Sequence, residues 1–143
     1  MRCYCMDYKK PVNVLNIDDD NINNFILEKL VRKIAGNAKI TMCLNGESAI
    51  EYLLNVIKKD EGYPDFIFVD VAMPIMNGWE FLNEYKHYEL DKIIKAEIFI
   101  ATSSVVKRDY DQAFSYDIVE DFITKPFSLD VLQLILNGRR RLA

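Results

Sequence analysis

Four apolar runs in this 143-residue chain each end on a group that can do chemistry. Residues 12–17 run into Asp18-Asp19-Asp20, and Phe66-Ile67-Phe68-Val69 runs into a lone Asp70. Residues 97–101 lead to Thr102-Ser103, and residues 119–124 to Lys125. Two or three carboxylates brought close together repel, and each raises the pKa of the others unless a cation intervenes. A hard divalent cation answers that need: Mg²⁺ takes one or two carboxylates, keeps several waters and completes its shell with phosphate oxygens. In that setting Asp70 can stay ionised and attack phosphorus, and aspartyl phosphate formation is established carboxylate chemistry. Cation and lysine together would neutralise the charge spread over the equatorial oxygens of a transferring phosphoryl group. The Thr102 hydroxyl can hydrogen-bond a phosphoryl oxygen once one is attached.

These groups act together only if the chain carries them to one place. The unbroken apolar run before Asp70 reads as a strand buried on both faces, the kind found in parallel sheets. Such a strand has no polar face for an acid. Asp70 is therefore expected where the strand leaves the sheet, with Met73-Pro74 and Asn77-Gly78 marking the loop that follows. Between the strands the period changes. Ile22, Phe25, Ile26, Leu30, Val31 and Ile34 predict a helix stopped by Gly36, after which residues 39–44 supply a short strand. Ala49, Ile50, Leu53, Leu54 and Ile57 predict a second helix, which runs out in residues 58–62. Trp79, Leu82 and Tyr85 mark the buried side of a third, capped by Asn77 with Glu80 three residues on. A thinner pattern at Val106, Tyr110, Ala113 and Phe114 predicts a helix over 105–116. Leu129, Leu132, Ile135 and Leu136 predict a last one, capped near Ser128 and ending at Asn137-Gly138. Five strands alternating with five helices imply an α/β fold with a doubly wound parallel sheet and right-handed crossovers. The first and third strands are the most apolar and belong in the centre. The order 2-1-3-4-5 then places the topological switch point between them, and ligands bind outside the carboxyl ends of strands at such a point.

Composition narrows the classes. The length fits one domain, read as residues 12–138 between short tails 1–11 and 139–143. Half the residues are apolar and 28% are charged, ordinary for a soluble globular protein. A net charge of −4 argues against general nucleic-acid binding, and Arg139-Arg140-Arg141 read as a solvated helix end. No apolar run reaches the length of a membrane span. Residues 1–11 carry Arg2, Asp7, Lys9 and Lys10 and lack the apolar core of a signal peptide, which makes a cytoplasmic location the default. The three cysteines suggest no disulfide framework. Cys3 and Cys5 read as reduced thiols in a tail, since no further Cys or His completes a metal site, and Cys43 as a small core residue. His87, the sole histidine, lies in a polar stretch and reads as exposed.

Taken in order, the motifs resemble the receiver domain of the two-component response-regulator family, whose best-known small member is the single-domain chemotaxis receiver. The likeness covers about residues 12–138. It rests on Asp18-Asp19 after the first strand, on Asp70 with Met73-Pro74 and Gly78, on Thr102-Ser103, and on Lys125-Pro126-Phe127. It implies a flavodoxin-like receiver fold with Asp70 as the phosphoacceptor. Asp19 would be a direct metal ligand, Asp18 would act mostly through a bound water, and the backbone carbonyl of Ala72 would supply another contact. The metal would be Mg²⁺, with Mn²⁺ a possible substitute. Lys125 would pair with the phosphoryl group, with a cis Lys125–Pro126 bond. Thr102 would be the switch hydroxyl and Phe122 the switch aromatic. The sequence departs from the family at Ala72, where Asn, Met or Arg is frequent, and at Phe122, where Tyr is more common. With Ser104, position 72 is where the family tunes the lifetime of its phosphorylated state.

The same resemblance implies that a histidine kinase or histidine phosphotransfer protein delivers the phosphoryl group, in a bacterial two-component setting. Such a protein catalyses only its own phosphorylation and dephosphorylation. The face formed by the fourth helix, fifth strand and fifth helix would meet a downstream protein. The chain ends soon after the last helix, so output is expected through protein contact, without nucleic acid or membrane, from a monomer or weak dimer. Three other readings compete. An aspartyl-phosphate phosphatase would need a general acid at the place of Ala72 and a cap. A flavodoxin-like cofactor binder would need a Ser, Thr or Gly-rich loop where Asp18-Asp19-Asp20-Asn21 stands. A degenerate receiver serving only as an interaction module would not need the acids, threonine and lysine all in place. Taken singly, Asp20 reads as a helix N-cap, Thr102 and Ser103 as loop residues, and Lys125 as a surface lysine.

Overall fold

Phe66–Val69 form the central strand, and all four residues are buried, as an apolar run without alternation requires. The computed structural model describes residues 10–103 and 107–142. In chain order it comprises β1 (Asn13–Ile17), α1 (Asn21–Ile34), β2 (Lys39–Cys43), α2 (Gly46–Lys59), β3 (Phe66–Val69) and α3 (Gly78–His87). A 3₁₀ turn at Leu90–Lys92 follows, then β4 (Glu97–Thr102), α4 (Lys107–Ala113), β5 (Val119–Thr124) and α5 (Leu129–Leu142). The strands form one parallel sheet in the order β2-β1-β3-β4-β5, the α/β topology expected. Register places Ile17 beside Val69 and Val69 beside Ile100, so the residues that follow these strands emerge side by side on one rim.

Two apolar layers cover the sheet. Leu15, Ile17, Ile67, Val69, Ile98 and Ile100 pack against Leu53 of α2 and Phe81, Leu82 and Tyr85 of α3. Val14, Phe66, Phe68 and Phe99 pack against Leu27 and Val31 of α1 and Leu132 and Leu136 of α5. Phe68 stacks on Phe99 at 5.5 Å and meets Phe127 edge-on at 5.6 Å, which anchors the segment after β5 to the core.

Several element details differ from expectation. In α1 the buried residues are Asn24, Leu27 and Val31, whereas Ile22 and Phe25 stand 71% and 60% exposed. Packing sets the phase: Leu27 and Val31 bury against the sheet and Asn24 bonds Asn16, which turns Ile22 and Phe25 toward solvent. The Asp20 carboxylate caps the helix by accepting the Ile22 and Asn23 N–H groups. In α3, Phe81 is fully buried, while Trp79 sits at the edge and stacks on Tyr116 at 6.0 Å. The last helix does not stop at Asn137-Gly138 but continues to Leu142. A single helical glycine costs only about 1 kcal/mol relative to alanine, too little to end a helix anchored by Leu132 and Leu136. Cys43 and His87 fall as read, one buried and the other exposed. Cys3, Cys5, Ser104 and Val106 lie outside the described residues.

Candidate functional site

Backbone pairing brings the acids together. The Asp18 N–H donates to the Cys43 carbonyl at 3.0 Å and the Asp70 N–H to the Ile17 carbonyl at 2.9 Å, so both aspartates leave the sheet at the same height. The Lys125 N–H donates to the Thr102 carbonyl at 2.9 Å, tying the end of β5 to the end of β4. The Lys125–Pro126 bond is cis. From there Lys125 Nζ reaches Asp18 Oδ2 at 2.5 Å and Asp70 Oδ2 at 3.1 Å. One carboxylate oxygen each from Asp18, Asp19 and Asp70 lies within 4.8 Å of the others.

Burial makes this charge consequential. Asp18 is 2% exposed and Lys125 is also buried, while Asp19 is exposed and Asp70 lies between. Burial pushes the Asp70 carboxyl above its usual pKa and the charge of Asp18 adds to the rise; Lys125 and a hydrogen bond from Thr102 offset part of it. Burial alone would depress Lys125, but its hydrogen bond to Asp18 and the two nearby carboxylates hold it above the ordinary lysine value. The ammonium therefore stays charged. Three carboxylates against one ammonium leave two net negative charges at the rim. A hard divalent cation matches that charge and that all-oxygen donor set.

The loop after β3 is held just as closely. Asp70 Oδ1 accepts the Val71 N–H at 2.7 Å. A Cβ on Gly78 would lie 2.3 Å from the Asp70 carbonyl oxygen, so only glycine lets α3 start there. The Gly78 N–H donates to the Val71 carbonyl at 2.9 Å, and Asn77 with Glu80 forms the expected capping box. Between Pro74 and Met76, Ile75 adopts φ +68°, a left-handed conformation costing roughly 1–3 kcal/mol for a non-glycine residue. The loop is pinned at its far side as well: the Gly46 N–H donates to the Met76 carbonyl at 2.9 Å, and a Cβ on Gly46 would lie 2.8 Å from the Met76 side chain.

Of the residues singled out from sequence, Asp18, Asp19, Asp70, Thr102 and Lys125 converge on one rim. Ala72 lies exposed two residues beyond Asp70. Phe122 stands apart from the acids, half-buried on β5, where its ring meets Tyr110 at 5.5 Å. Asp20 is an N-cap and not part of the cluster. Two buried asparagines escaped notice: Asn16 of β1 and Asn24 of α1, joined at 2.7 Å, with Asn24 Nδ2 donating to the Asp18 carbonyl at 3.2 Å. The available signal was a polar residue, Asn16, inside an otherwise apolar strand.

A doubly wound sheet whose central strands deliver paired aspartates and whose last strand delivers a lysine defines a class of phosphoryl- and metal-handling α/β domains. The profile of the response regulator receiver domain matches residues 14–137, and the chain belongs to that family. It is 31% identical over 130 residues to the two-component response regulator ARR6 of Arabidopsis thaliana, covering 87% of this chain and 67% of that protein. It is 30% identical over 123 residues to the sensor histidine kinase CheAY of Helicobacter pylori, covering 86% of this chain but only 14% of that protein. Among solved structures, a two-component response regulator from Cytophaga hutchinsonii superposes with a TM-score of 0.82 at 28% identity, over 94% of this chain and all of that one. The chain thus spans a minor part of its longer relatives, and those relatives include plant as well as bacterial proteins. Among the described residues, no helix is long and apolar enough to cross a membrane.

Proposed function

We propose that this chain is a phospho-accepting receiver in which Asp70 takes the phosphoryl group from the phosphohistidine of a histidine kinase or histidine phosphotransfer protein. The observation that carries this reading is the meeting of the Asp18, Asp19 and Asp70 carboxylates with the Lys125 ammonium at one point of the rim. An Asp70 carboxylate oxygen attacks phosphorus, the phosphorus–nitrogen bond breaks, and the imidazole departs with that electron pair. Lys125 is already within reach of Asp70 and offsets charge on the phosphoryl oxygens as they approach. Asp19, Asp70 and the Ala72 carbonyl would hold Mg²⁺ or Mn²⁺ directly, and Asp18 through water; the cation supplies further charge neutralisation to the transferring group. Asp18 is already engaged by Lys125 and by the Asp20 N–H at 3.0 Å, which suits an indirect role.

Phosphorylation adds roughly −1.5 to −2 charges and strong acceptors at Asp70. Thr102, whose hydroxyl now hydrogen-bonds Asp70, turns to the phosphoryl oxygens, and Phe122 rotates toward the space behind it. The face formed by α4, β5 and α5 is thereby biased between two states and read by a partner protein. Ile22 and Phe25, exposed on the first turn of α1 beside Asp20, offer the donor protein an apolar contact next to the site. The only reaction catalysed is the gain and loss of this protein's own phosphoryl group, in the cytoplasm. Ala72 has only a methyl side chain and cannot serve as the acid an aspartyl-phosphate phosphatase requires. The test is intact mass after incubation with acetyl phosphate and Mg²⁺. Wild type should gain one phosphoryl group and Asp70→Asn none; no adduct on wild type, or an equal adduct on both, overturns the assignment.

A further inference from the structure

Asn16 and Asn24 are 2% and 8% exposed, a pair of amides set into the apolar layer between the sheet and α1. Val14, two residues before Asn16 on the same face of β1, packs with Leu27 and Val31 of α1 in that layer. Their hydrogen bonds have one consistent direction. The Asp18 carbonyl can only accept, so Asn24 must present its NH₂ there; its oxygen then faces Asn16, which must donate in turn. The chain of bonds begins on the strand, crosses to the helix and ends on the peptide linking Asp18 to Asp19. Asp18 is otherwise fixed by its N–H to Cys43 and by two acceptor contacts, from Lys125 and the Asp20 N–H. Without the Asn24 bond, the carbonyl would lose the one hydrogen bond that, among the described residues, ties the Asp18–Asp19 peptide to α1.

A buried amide pair adds little net stability over an apolar pair of the same shape, since both partners must leave water. Leucine, branched at the same carbon as asparagine, is such a shape. The amide–amide bond therefore adds little to the fold by itself; what the pair supplies is a donor aimed at the Asp18 carbonyl on the acidic loop.

We propose that Asn24, backed by Asn16, is a positioning residue of the acidic site: it fixes the Asp18–Asp19 peptide and so sets the spacing of Asp19 from Asp70 that divalent-cation binding needs. The inference rests on the cation-binding reading of that site. Outer contacts that orient metal ligands typically change metal affinity 10–100-fold when removed.

The test uses the full chain and Asn16→Leu/Asn24→Leu, which removes both amides together, so that neither amide is left unpaired and only the Asp18 carbonyl loses its donor. Mg²⁺ is titrated against the fluorescence of Trp79, the sole tryptophan, which directly follows the Gly78 that abuts Asp70. Urea unfolding without Mg²⁺ is measured in parallel. The expected result is a Mg²⁺ dissociation constant raised about tenfold, a urea midpoint close to that of wild type, and acetyl phosphate labelling restored by excess Mg²⁺. Equal Mg²⁺ affinity in variant and wild type overturns the inference and leaves the cation site standing. Absence of saturable Mg²⁺ binding by wild type overturns the reading of the site itself, and the inference with it. If the double variant does not fold, Asn24→Ala, which opens a small gap without adding bulk, carries the same affinity comparison. Normal Mg²⁺ affinity in that variant counts against the proposal.

Discussion

At the β1–β3 rim, Asp18 has its N–H, its carbonyl and both carboxylate oxygens engaged. On the α4–β5 flank, Phe122 is half-buried and meets an exposed Tyr110 edge-on, over a helix of seven residues. On the proposed function, the contrast follows from what each region would have to do. Gathering like charges out of water needs groups held in place, because an unsatisfied charge or amide there is costly. An element that reports a change at such a site needs few competing contacts, since regions of low local stability are the ones that move. The rigid rim and the looser flank are joined by Lys125, which follows β5 and reaches Asp18 and Asp70.

The sharpest contrast sets a glycine in the tightly fitted loop after Asp70 against one on the open side of α5. Gly78→Ala would drive a Cβ into the Asp70 carbonyl, so the loop must shift. The expected loss is about 3 kcal/mol in urea unfolding, with acetyl phosphate labelling impaired as well. Gly138→Ala, on α5 where a Cβ meets nothing within 4 Å, should instead gain roughly 0.5–1 kcal/mol. Equal effects at the two positions would show that the loop at Gly78 is not tightly fitted against Asp70.

Asp70 itself supplies a pH-dependent contrast. A carboxyl whose folded pKa lies above its unfolded value binds protons more tightly when folded. Its contribution then favours the folded state below the unfolded pKa and is lost as pH rises through the folded one. Asp70 is raised by burial and by Asp18 despite Lys125, so without Mg²⁺ ionised Asp70 weakens the fold at neutral pH. Asp70→Asn should therefore be the more stable protein at pH 7, with the gap narrowing as pH falls through the raised folded pKa and closing below the ordinary carboxyl value. Mg²⁺ should stabilise wild type and reduce the difference, because it binds the folded site. Unfolding midpoints across pH with and without Mg²⁺ measure this; a variant less stable than wild type at pH 7 would show that the Lys125 pairing outweighs burial.

How much could be read from the sequence divides along the same line. The apolar runs and the residues ending them placed β1, β3, β4 and β5, and hence the meeting of Asp18, Asp70, Thr102 and Lys125. Those runs have one solution because a strand buried on both faces leaves an acid nowhere to go but its end. Helix faces were harder. Ile22 and Phe25 fit a helical stripe in spacing but face solvent, because the contacts of Leu27, Val31 and Asn24 with the sheet fix the rotation of α1. Asn24 was hidden for the same reason: its burial depends on a partner, Asn16, on another element. Ile75 at φ +68° carries no local signal at all, since a β-branched residue is an unfavourable occupant of that conformation and only the surrounding loop imposes it.

The smallest expected effect lies on the flank. Truncating a fully buried phenylalanine usually costs 3–5 kcal/mol, as would be expected of Phe68 between Phe99 and Phe127. Phe122 is only half-buried and its described ring contact is one edge-to-face pair, an arrangement worth about 0.5–1.5 kcal/mol beyond area burial. Phe122→Ala should therefore cost about 1–2 kcal/mol in urea unfolding. Labelling of Asp70 by acetyl phosphate should persist, since the Asp70–Lys125 contact does not involve Phe122. What should change is the response to phosphorylation: amide NMR shifts around Tyr110 and β5 that follow labelling in wild type should shrink in the variant. A loss as large as that of Phe68→Ala would mean the flank is packed like the core, and an element packed that tightly could not serve as the movable half of the molecule.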